Sequence, residues 1–218
     1  MDTVIIGAGG HGKVVLDILR AAGMYRPMGF IDADPSLAGC SVGGLPVLGP
    51  ANQLSKLRQQ KVKRAIVAIG DNAVRRSYAT RLLEDGFELI NAIHPTAVVS
   101  TSATVGRNVV IAAGAVVCTE VKLADSVIIN TSAVVDHECE IGEAVHVAPM
   151  AALAGRVRVE AEAFIGMGAR IIQCLTIGQR AVIGAGAVVL VDVAAGATVV
   201  GVPARVVKIV PIMPTGLA

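Results

Sequence analysis

Aromatic residues are scarce in this sequence, which restricts the kind of core the chain can build. The 218 residues include no Trp, two Tyr and three Phe, although 54% of them are hydrophobic. A core without aromatic rings has to be filled by Val, Ile, Leu and Ala side chains, and these suit a narrow interior. A chain of this length can hold one large domain or two small ones.

Charge and cysteine are limited as well. The formal net charge is +2, which gives no argument for a nucleic-acid or anionic-membrane partner. The chain opens with a predicted strand at Thr3, so no signal peptide is expected. The cysteines have no paired spacing and are expected to be reduced thiols in a cytoplasmic protein. They are Cys40, Cys118, Cys139 and Cys174.

A six-residue period dominates the second half of the sequence. Sixteen apolar residues stand at steps of six without a gap, and a small or apolar residue follows four positions after each. Helices repeat every 3.6 residues and strands every 2, so neither alone explains this period. The pattern predicts a parallel β-helix in which three hexads form one triangular coil, with about five coils stacked roughly 4.8 Å apart. The sixteen positions are Val99, Val105, Ile111, Val117, Leu123, Ile129, Val135, Ile141, Val147, Leu153, Val159, Ile165, Ile171, Ile177, Ile183 and Val189.

The apolar stretch 181–204 keeps the six-residue spacing and contains several glycines. Its length alone would suit a membrane span, but the spacing favours the core of stacked coils. We therefore expect no transmembrane segment there.

The first part of the chain has a different pattern, in which short apolar strands alternate with helices. This alternation predicts a small parallel α/β sheet. Asn72 is predicted to cap a helix, and His94-Pro95 is the predicted junction because Pro stops the preceding element. The sequence thus predicts an α/β domain over residues 1–92 and a β-helix with a C-terminal tail over 93–218. The predicted strands are 3–6, 28–32, 45–48, 64–69 and 87–93, and the predicted helices are 13–22, 53–60 and 72–84.

A glycine-rich loop follows the first predicted strand. Its pattern, Gly7-x-Gly9-x-x-Gly12 ahead of a helix, is typical of loops that hold phosphates at a helix N-terminus. Asp32 ends the second predicted strand, where a carboxylate can accept from a ribose hydroxyl. The domain is short for a full dinucleotide fold, so a nucleoside diphosphate fits better than NAD. His11 could contact a phosphate or sugar; a tight turn without a ligand is the alternative.

Two histidines fall within the repeats. His137 follows the inward Val135, which places it on the outer surface beside Glu138, a carboxylate that can fix its tautomer and raise its basicity. One coil later the same position is Gly155, which is expected to leave room for a ligand and to expose its N–H. His146 is half a coil from His137, so it belongs to another face, and a neighbouring subunit could bring the two faces together.

These histidines also allow two other interpretations. His137 could be a surface residue without function. A metal site is not expected, because a β-helical carbonic anhydrase needs three histidine ligands and two of the four His lie outside the coils.

Taken together, the motifs resemble one family. The glycine-rich loop 7–12, the segment 130–142 and the sequence His146-x-Ala148-Pro149 are similar to those of the sugar N- and O-acetyltransferases. That family includes the bacterial bacillosamine-pathway and perosamine N-acetyltransferases and the sialic acid O-acetyltransferases. The similarity extends over nearly the whole chain. The six-residue period alone is less specific, because serine acetyltransferases and sugar nucleotidyltransferases share it.

The resemblance implies a small Rossmann-like domain that binds a nucleotide sugar, joined to a left-handed β-helix, in a homotrimer with active sites between subunits. It implies acetyl-CoA as the donor, the C4 amine of a nucleotide-linked deoxyamino sugar as the acceptor, and no metal. His137 matches the family's general base and Glu138 its orienting neighbour. The positions that match the acetyl-CoA site are His146, Gly155, Met167, Ala185 and Arg205. The positions that match the nucleotide-sugar site are Gly7, Gly9, Gly10, His11, Asp32, Asp34, Ile69 and Gly70.

The predicted activity is therefore N-acetylation of a nucleotide-linked amino sugar in bacterial glycan synthesis. The amine would attack the thioester directly, without an acetyl-enzyme, since Cys139 is expected to point inward. Two alternatives stay open, namely O-acetylation of a sugar such as sialic acid and a nucleotide-binding trimer without chemistry. Met150 departs from the glycine that is frequent in the family and can alter the fit near the donor. The residues do not choose among UDP, GDP and dTDP.

Overall fold

The computed structural model describes residues 1–211, which form an α/β domain followed by a triangular prism of stacked coils. Within these residues, no helix combines the length and the apolar character that a membrane crossing requires.

The α/β domain is built on one sheet of six strands, which are β1 (Asp2–Ile6), β2 (Arg26–Ile31), β3 (Ser41–Val42), β4 (Leu45–Gly49), β5 (Arg64–Val67) and β6 (Glu88–Leu89). Their order in the sheet is β3-β4-β2-β1-β5-β6. All pairings are parallel except the β3–β4 hairpin. Successive β1 residues point to opposite faces, so Ile5 packs under one layer while Val4 and Ile6 pack under the other. The α-helices are α1 (Gly10–Ala22), α2 (Leu54–Gln59) and α3 (Asn72–Glu84), with 3₁₀ turns at Pro35–Leu37 and Ala51–Gln53.

Three local predictions for this domain differ from the structure. Helix α1 begins at Gly10, three residues before the predicted start, because the glycine-rich loop itself forms the first turn. Asp71, and not Asn72, caps α3, and its Oδ1 accepts from the N–H of Val74 at 2.9 Å. The predicted strand 87–93 is two strands, because Ala92–Ile93 pairs with Val110–Ile111 of the coils.

The coils confirm the predicted left-handed parallel β-helix and give it three flat faces. Strands of successive coils pair in parallel, 18 residues apart, as Val110 does with Ile128. The first face contains Ala92–Ile93, Val110–Ile111, Ile128–Ile129, His146–Val147, Phe164–Ile165, Val182–Ile183, Ala197–Val200 and the antiparallel Arg205–Ile209. The second face contains Val98–Val99, Val116–Val117, Val134–Val135, Ala152–Leu153, Arg170–Ile171 and Val188–Val189. The third face contains Thr104–Val105, Lys122–Leu123, Glu140–Ile141, Arg158–Val159 and Thr176–Ile177.

The interior of the prism is filled by small aliphatic side chains. The buried core of the coils consists of Val, Ile, Leu and Ala residues with Cys139 among them. Burial of each large aliphatic side chain contributes about 1.5–3 kcal/mol. The scarcity of aromatic residues therefore follows from the width of the prism.

The corners of the prism have a period of their own. Fourteen residues at steps of six, from Asn108 to Gly186, adopt a left-handed backbone conformation with positive φ. Only three of them are glycine, so at the other eleven a side chain accepts a conformation that ordinarily costs about 1–2 kcal/mol. Glu138 is one of these corner residues, with a φ of 57°.

The α/β domain packs on the first face. The outward residues Ala92, Val110 and Ile128 are buried in one cluster with α1. The second face is left uncovered by this domain and presents an apolar row of outward residues. They are Val98, Val116, Val134 and Ala152.

Candidate functional site

His137 lies at the corner between the second and third faces, held by the residues on both sides of it. Its Nδ1 lies 2.8 Å from Oε2 of Glu138, and its backbone N–H donates to Oδ1 of Asp136 at 2.7 Å. The His137 and Glu138 side chains are 42% and 46% exposed. When Nδ1–H donates to the carboxylate, Nε2 is left unprotonated, which is the form a general base requires.

The Nε2 side of the ring packs over Gly155. A Cβ on Gly155 would lie 2.9 Å from Cδ2 of His137 and still closer to Nε2 and Cε1. The space above Gly155 is therefore filled by the imidazole, whereas the sequence predicted room for a ligand. Gly155 is buried, and within residues 1–211 its N–H donates to no acceptor.

The glycine-rich loop opens into a cavity of about 380 Å³. Gly7 has a φ of 105°, and a Cβ there would lie 2.8 Å from the carbonyl oxygen of Ala68, so the loop needs glycine at this position. The lining includes the predicted residues Gly7, Gly9, Gly10, His11, Asp32, Ile69 and Gly70, together with Val74 and Tyr78 of α3.

The Asp32 carboxylate already has two backbone donors. Its Oδ2 accepts from Ala8 N–H at 2.7 Å, and its Oδ1 accepts from Asp34 N–H at 2.9 Å. Asp32 thus shapes the loop, and each oxygen keeps a lone pair for a ligand. Asp34 is outside the cavity lining and caps the following 3₁₀ turn; its hydrogen bonds from Ser36 lower the pKa of its carboxyl.

His146 lies in the first face and belongs to the surroundings of the nucleotide-type cavity. Its ring centroid is 6.3 Å from that of His11 and 5.2 Å from that of Phe164. Nε2 of His146 lies 3.1 Å from Nδ2 of Asn130, while Nδ1 of His146 and Nε2 of His11 are buried without a partner among the described residues.

Both of these histidines are held neutral. Burial, with a smaller contribution from Arg75, lowers the pKa of His11 to about 4. Burial also lowers the pKa of His146 to about 3, helped by Arg75 and by His11 and opposed by the carbonyl of Gly70. Neutral imidazoles can either donate or accept at a ligand.

The remaining predicted donor-site residues lie at the upper corner between the first and second faces. Met167 is 58% exposed, and its carbonyl accepts from Gly186 N–H, next to Ala185, at 2.8 Å. Met150 is at the same corner one coil lower and is also exposed. Arg205 begins the last strand, and its guanidinium donates to the carbonyl of Ala204.

One chain therefore brings the predicted residues together in three separate groups. His137, Glu138 and Gly155 form the first, the nucleotide-type cavity with His146 forms the second, and the exposed corner with Met167 forms the third. The corner that bears His137 is the prism edge opposite the first face, on which the α/β domain packs. The cavity and His137 of a single chain thus lie on opposite sides of the β-helix.

The sequence analysis missed Arg75, which is fully buried beside the cavity. A signal was present, because Arg75, Ala79 and Leu82 stand at i, i+4 and i+7 and form the buried stripe of α3. A charged residue on such a stripe indicates an interior role. As for metals, no cluster of three or more His, Cys, Asp or Glu side chains suited to an ion occurs in the described residues.

A known family and a curated protein each match part of the chain. The family model of the PglD N-terminal domain matches residues 2–82. The curated UDP-N-acetylbacillosamine N-acetyltransferase of Bacillus subtilis (strain 168) is 34% identical over 113 residues, and this match spans 51% of each protein, about half the length of that relative.

Solved structures match nearly the whole chain. PerB from Caulobacter crescentus, in complex with CoA and GDP-perosamine, is 45% identical with a TM-score of 0.92, over 95% of this chain and 98% of that one. The acetyltransferase domain of PglB from Neisseria gonorrhoeae FA1090, in complex with acetyl coenzyme A, is 41% identical with a TM-score of 0.88, over 94% and 98%.

The fold and the matching structures define the class as the left-handed β-helix acyltransferases with a Rossmann-like N-terminal domain. Within that class, the chain belongs to the bacillosamine- and perosamine-type sugar N-acetyltransferases.

Proposed function

We propose that this protein transfers the acetyl group of acetyl-CoA to the C4 amine of a nucleotide-linked deoxyamino sugar, with His137 as the general base. The observation that carries this proposal is the His137 imidazole, whose Nδ1 is tied to Glu138 at 2.8 Å while Nε2 lies over Gly155. Crystal structures of the C. crescentus enzyme with one histidine replaced by Asn or Ala, each with CoA and GDP-perosamine, support a role for a histidine in the family.

The reaction needs no covalent acetyl-enzyme. The amine lone pair attacks the thioester carbonyl carbon, Nε2 of His137 takes the amine proton, and the C–S bond breaks as the tetrahedral intermediate collapses. The proton then passes to the departing thiolate, which leaves as CoA. The N–H of Gly155, adjacent to the ring, is a preorganised donor for the oxyanion. Cys139 takes no part, because it is buried and burial raises the pKa of its thiol to about 11.

The acceptor's nucleotide is proposed to occupy the cavity of the glycine-rich loop. Backbone N–H groups at the N-terminus of α1 suit its diphosphate, and Asp32 accepts from its ribose or base. The donor is proposed to lie along the coils, with His146, Met167, Ala185 and Arg205 near acetyl-CoA.

The complete site is proposed to form between subunits of a homotrimer in the cytoplasm. In one chain His137 is on the prism edge opposite the cavity, so the His137 that serves a given cavity comes from a neighbour. The apolar row of the second face suits burial against another copy.

An acceptor screen with thiol detection tests the activity. We expect CoA release with a nucleotide-linked 4-amino sugar and none with free sialic acid; the reverse would favour the O-acetyltransferase, and no release with either would favour a non-catalytic trimer. The variant His137→Ala is expected to keep acetyl-CoA affinity while kcat falls by about 10²–10⁴. Turnover close to that of the wild type would remove His137 from its proposed role.

A complementation experiment tests the shared site. Mixed trimers of His137→Ala and Asp32→Ala chains contain sites with an intact cavity from one chain and an intact base from the other. Activity above that of either parent, at sugar concentrations below KM, is expected. Simple averaging of the two parents, or a fully active monomer in light scattering, would contradict the shared site.

A further inference from the structure

Arg75 is a fully buried arginine whose charge is satisfied without a carboxylate. Its guanidinium makes five hydrogen bonds, which matches the five N–H donors of the group. Four of the acceptors are backbone carbonyls and the fifth is the side-chain oxygen of Asn72. A buried charge is tolerated only when such partners compensate for its desolvation, so the position is built to hold a guanidinium.

The five acceptors come from two parts of the fold. Nη1 donates to the carbonyls of Ile69 at 2.9 Å and Gly70 at 3.1 Å, which belong to the wall of the nucleotide-type cavity. Nε and Nη2 donate to the carbonyls of Ser126 and Ala144, each at 2.8 Å. Arg75 therefore joins the cavity wall to the coils through a single planar group.

The coil acceptors are stacked corner residues. Ser126 and Ala144 are both left-handed corner residues between the third and first faces, one coil apart. The corner one coil below, Asn108, accepts from the N–H of Val67 at the end of β5 at 2.7 Å. One coil above, the carbonyl of Glu162 accepts from Nδ2 of Asn72 at 3.0 Å. Four successive coils thus fix the segment that runs from β5 into α3.

The same guanidinium also influences two neutral histidines, His11 of the cavity lining and His146 of the first face. Its positive charge contributes to the lowered pKa of both His11 and His146. The carbonyl of Gly70, which accepts from Arg75, opposes this effect at His146 by raising its pKa.

We infer that Arg75 is a positioning residue for the nucleotide-linked acceptor, which fixes the Ile69–Gly70 wall in its binding conformation and in register with the coils. The inference rests on the proposed function, because it takes this cavity as the nucleotide site. The carbonyl of a trans peptide is directed opposite to its N–H. Hence the N–H groups of Gly70 and Asp71 are directed away from Arg75. Without the guanidinium, the carbonyls of Ile69 and Gly70 lose this donor, and the wall can rearrange.

The test compares nucleotide affinity in Arg75→Met and Arg75→Lys with that in Arg76→Met. Arg76 is the matched control, since it lies on the same helix and crosses the same interface to Glu143 and Glu162 but bonds to neither Ile69 nor Gly70. Calorimetry of the intact proteins with GDP, UDP and dTDP gives the Kd, and acetyl-CoA is titrated in parallel. Thermal unfolding reports the stability of each variant.

We expect Arg75→Met to weaken the nucleotide that the wild type binds by about ten-fold or more, with acetyl-CoA affinity unchanged. Arg75→Lys, which keeps the charge with only three donors, should fall between Arg75→Met and the wild type. Arg76→Met should lower the melting temperature without changing either affinity.

Several results would overturn the inference. One is an unchanged nucleotide Kd in Arg75→Met, and another is an equal loss in Arg76→Met. If both Arg75 variants fail to fold while Arg76→Met folds, Arg75 is a structural residue only. If the wild type binds none of the three nucleotides, the proposed acceptor site itself is wrong, which is a different result from a wild type that binds and a variant that binds equally.

Discussion

Adding a single methyl group at Gly155 is expected to displace the proposed base, His137, without removing it. The variant therefore tests whether the position of the imidazole matters for the rate. The Cβ of Gly155→Ala would lie 2.9 Å from Cδ2 of His137 and closer to the other two ring atoms that face it. The backbone of Gly155 is not in the left-handed region, so alanine is acceptable to the chain itself. The imidazole is partly exposed and held by one side-chain hydrogen bond to Glu138, whereas the coil beneath it is close-packed. The ring will therefore move and the coil will not.

The magnitude follows from that displacement. To restore ordinary contact, the ring has to move by roughly 1 Å or more, and a misplacement of this size costs about 10²-fold in rate. Stability should be unchanged or slightly higher, since Gly to Ala at a compatible site gains about 0.4–1 kcal/mol. We expect kcat to fall by about 10²-fold while the KM for acetyl-CoA changes little.

Steady-state kinetics with thiol detection measure the effect, and His137→Ala provides the matched background. With no ring to displace, Gly155→Ala should add nothing to His137→Ala. A wild-type kcat in the single variant would refute the reasoning. So would a full additional loss in the double variant, since Gly155 would then act independently of His137.

Three further changes test other parts of the structure. Asp32→Ala should raise the KM for the nucleotide sugar by about ten- to a hundred-fold and leave that for acetyl-CoA nearly unchanged; a selective loss for acetyl-CoA would contradict the division between the sites. The pKa values of His11 and His146 in the folded protein are low, about 4 and about 3. Below pH 6.5 the unfolded chain therefore binds more protons than the folded chain. The free energy of unfolding should therefore fall from pH 6.5 towards 4, by at most about 1.4 kcal/mol per pH unit for each histidine. Urea unfolding of His146→Asn should show a weaker dependence of this free energy on pH. The same dependence as in the wild type would show that His146 does not contribute to it. Cys174 is a left-handed corner residue with φ of 62°, so Cys174→Gly should gain about 0.5–1 kcal/mol in thermal unfolding, whereas Cys174→Ala should gain nothing.

The six-residue period was sufficient to predict the β-helix because each hexad is a local unit that repeats in space. Ile93 extends that period by one step before Val99, so the first coil could have been placed earlier than His94-Pro95. The left-handed corners were not predicted, since residues as different as Glu138, Cys174 and Arg180 occupy them. What they share is backbone conformation imposed by the coil, which a side chain does not encode.

Contacts between the two domains were the least predictable. Arg75 bonds mainly to backbone carbonyls, and a carbonyl is the same group at every residue, so the sequence does not identify its partners. Asn72 is a residue type that often caps helices, but its side chain donates across the interface to the carbonyl of Glu162. The neighbouring Asp71 makes the capping hydrogen bond instead. The pairing of His137 with Gly155 was predictable from the 18-residue spacing, but the sequence did not indicate that the ring would fill the space.

The 18-residue coil determines which insertion lengths the β-helix can accept, in evolution or in protein engineering, without changing the face on which each later residue lies. Insertion of 18 residues adds a whole coil and returns every later side chain to its original face, as the pairing of Val110 with Ile128 requires. Insertion of six residues turns everything after it by one face. Placed between Ser126 and His137, such an insertion would move the imidazole from the prism edge opposite the α/β domain to the edge beside Arg75. Gene duplications in multiples of one coil can therefore lengthen the protein and keep every later side chain on its original face, while shorter ones redirect the active site.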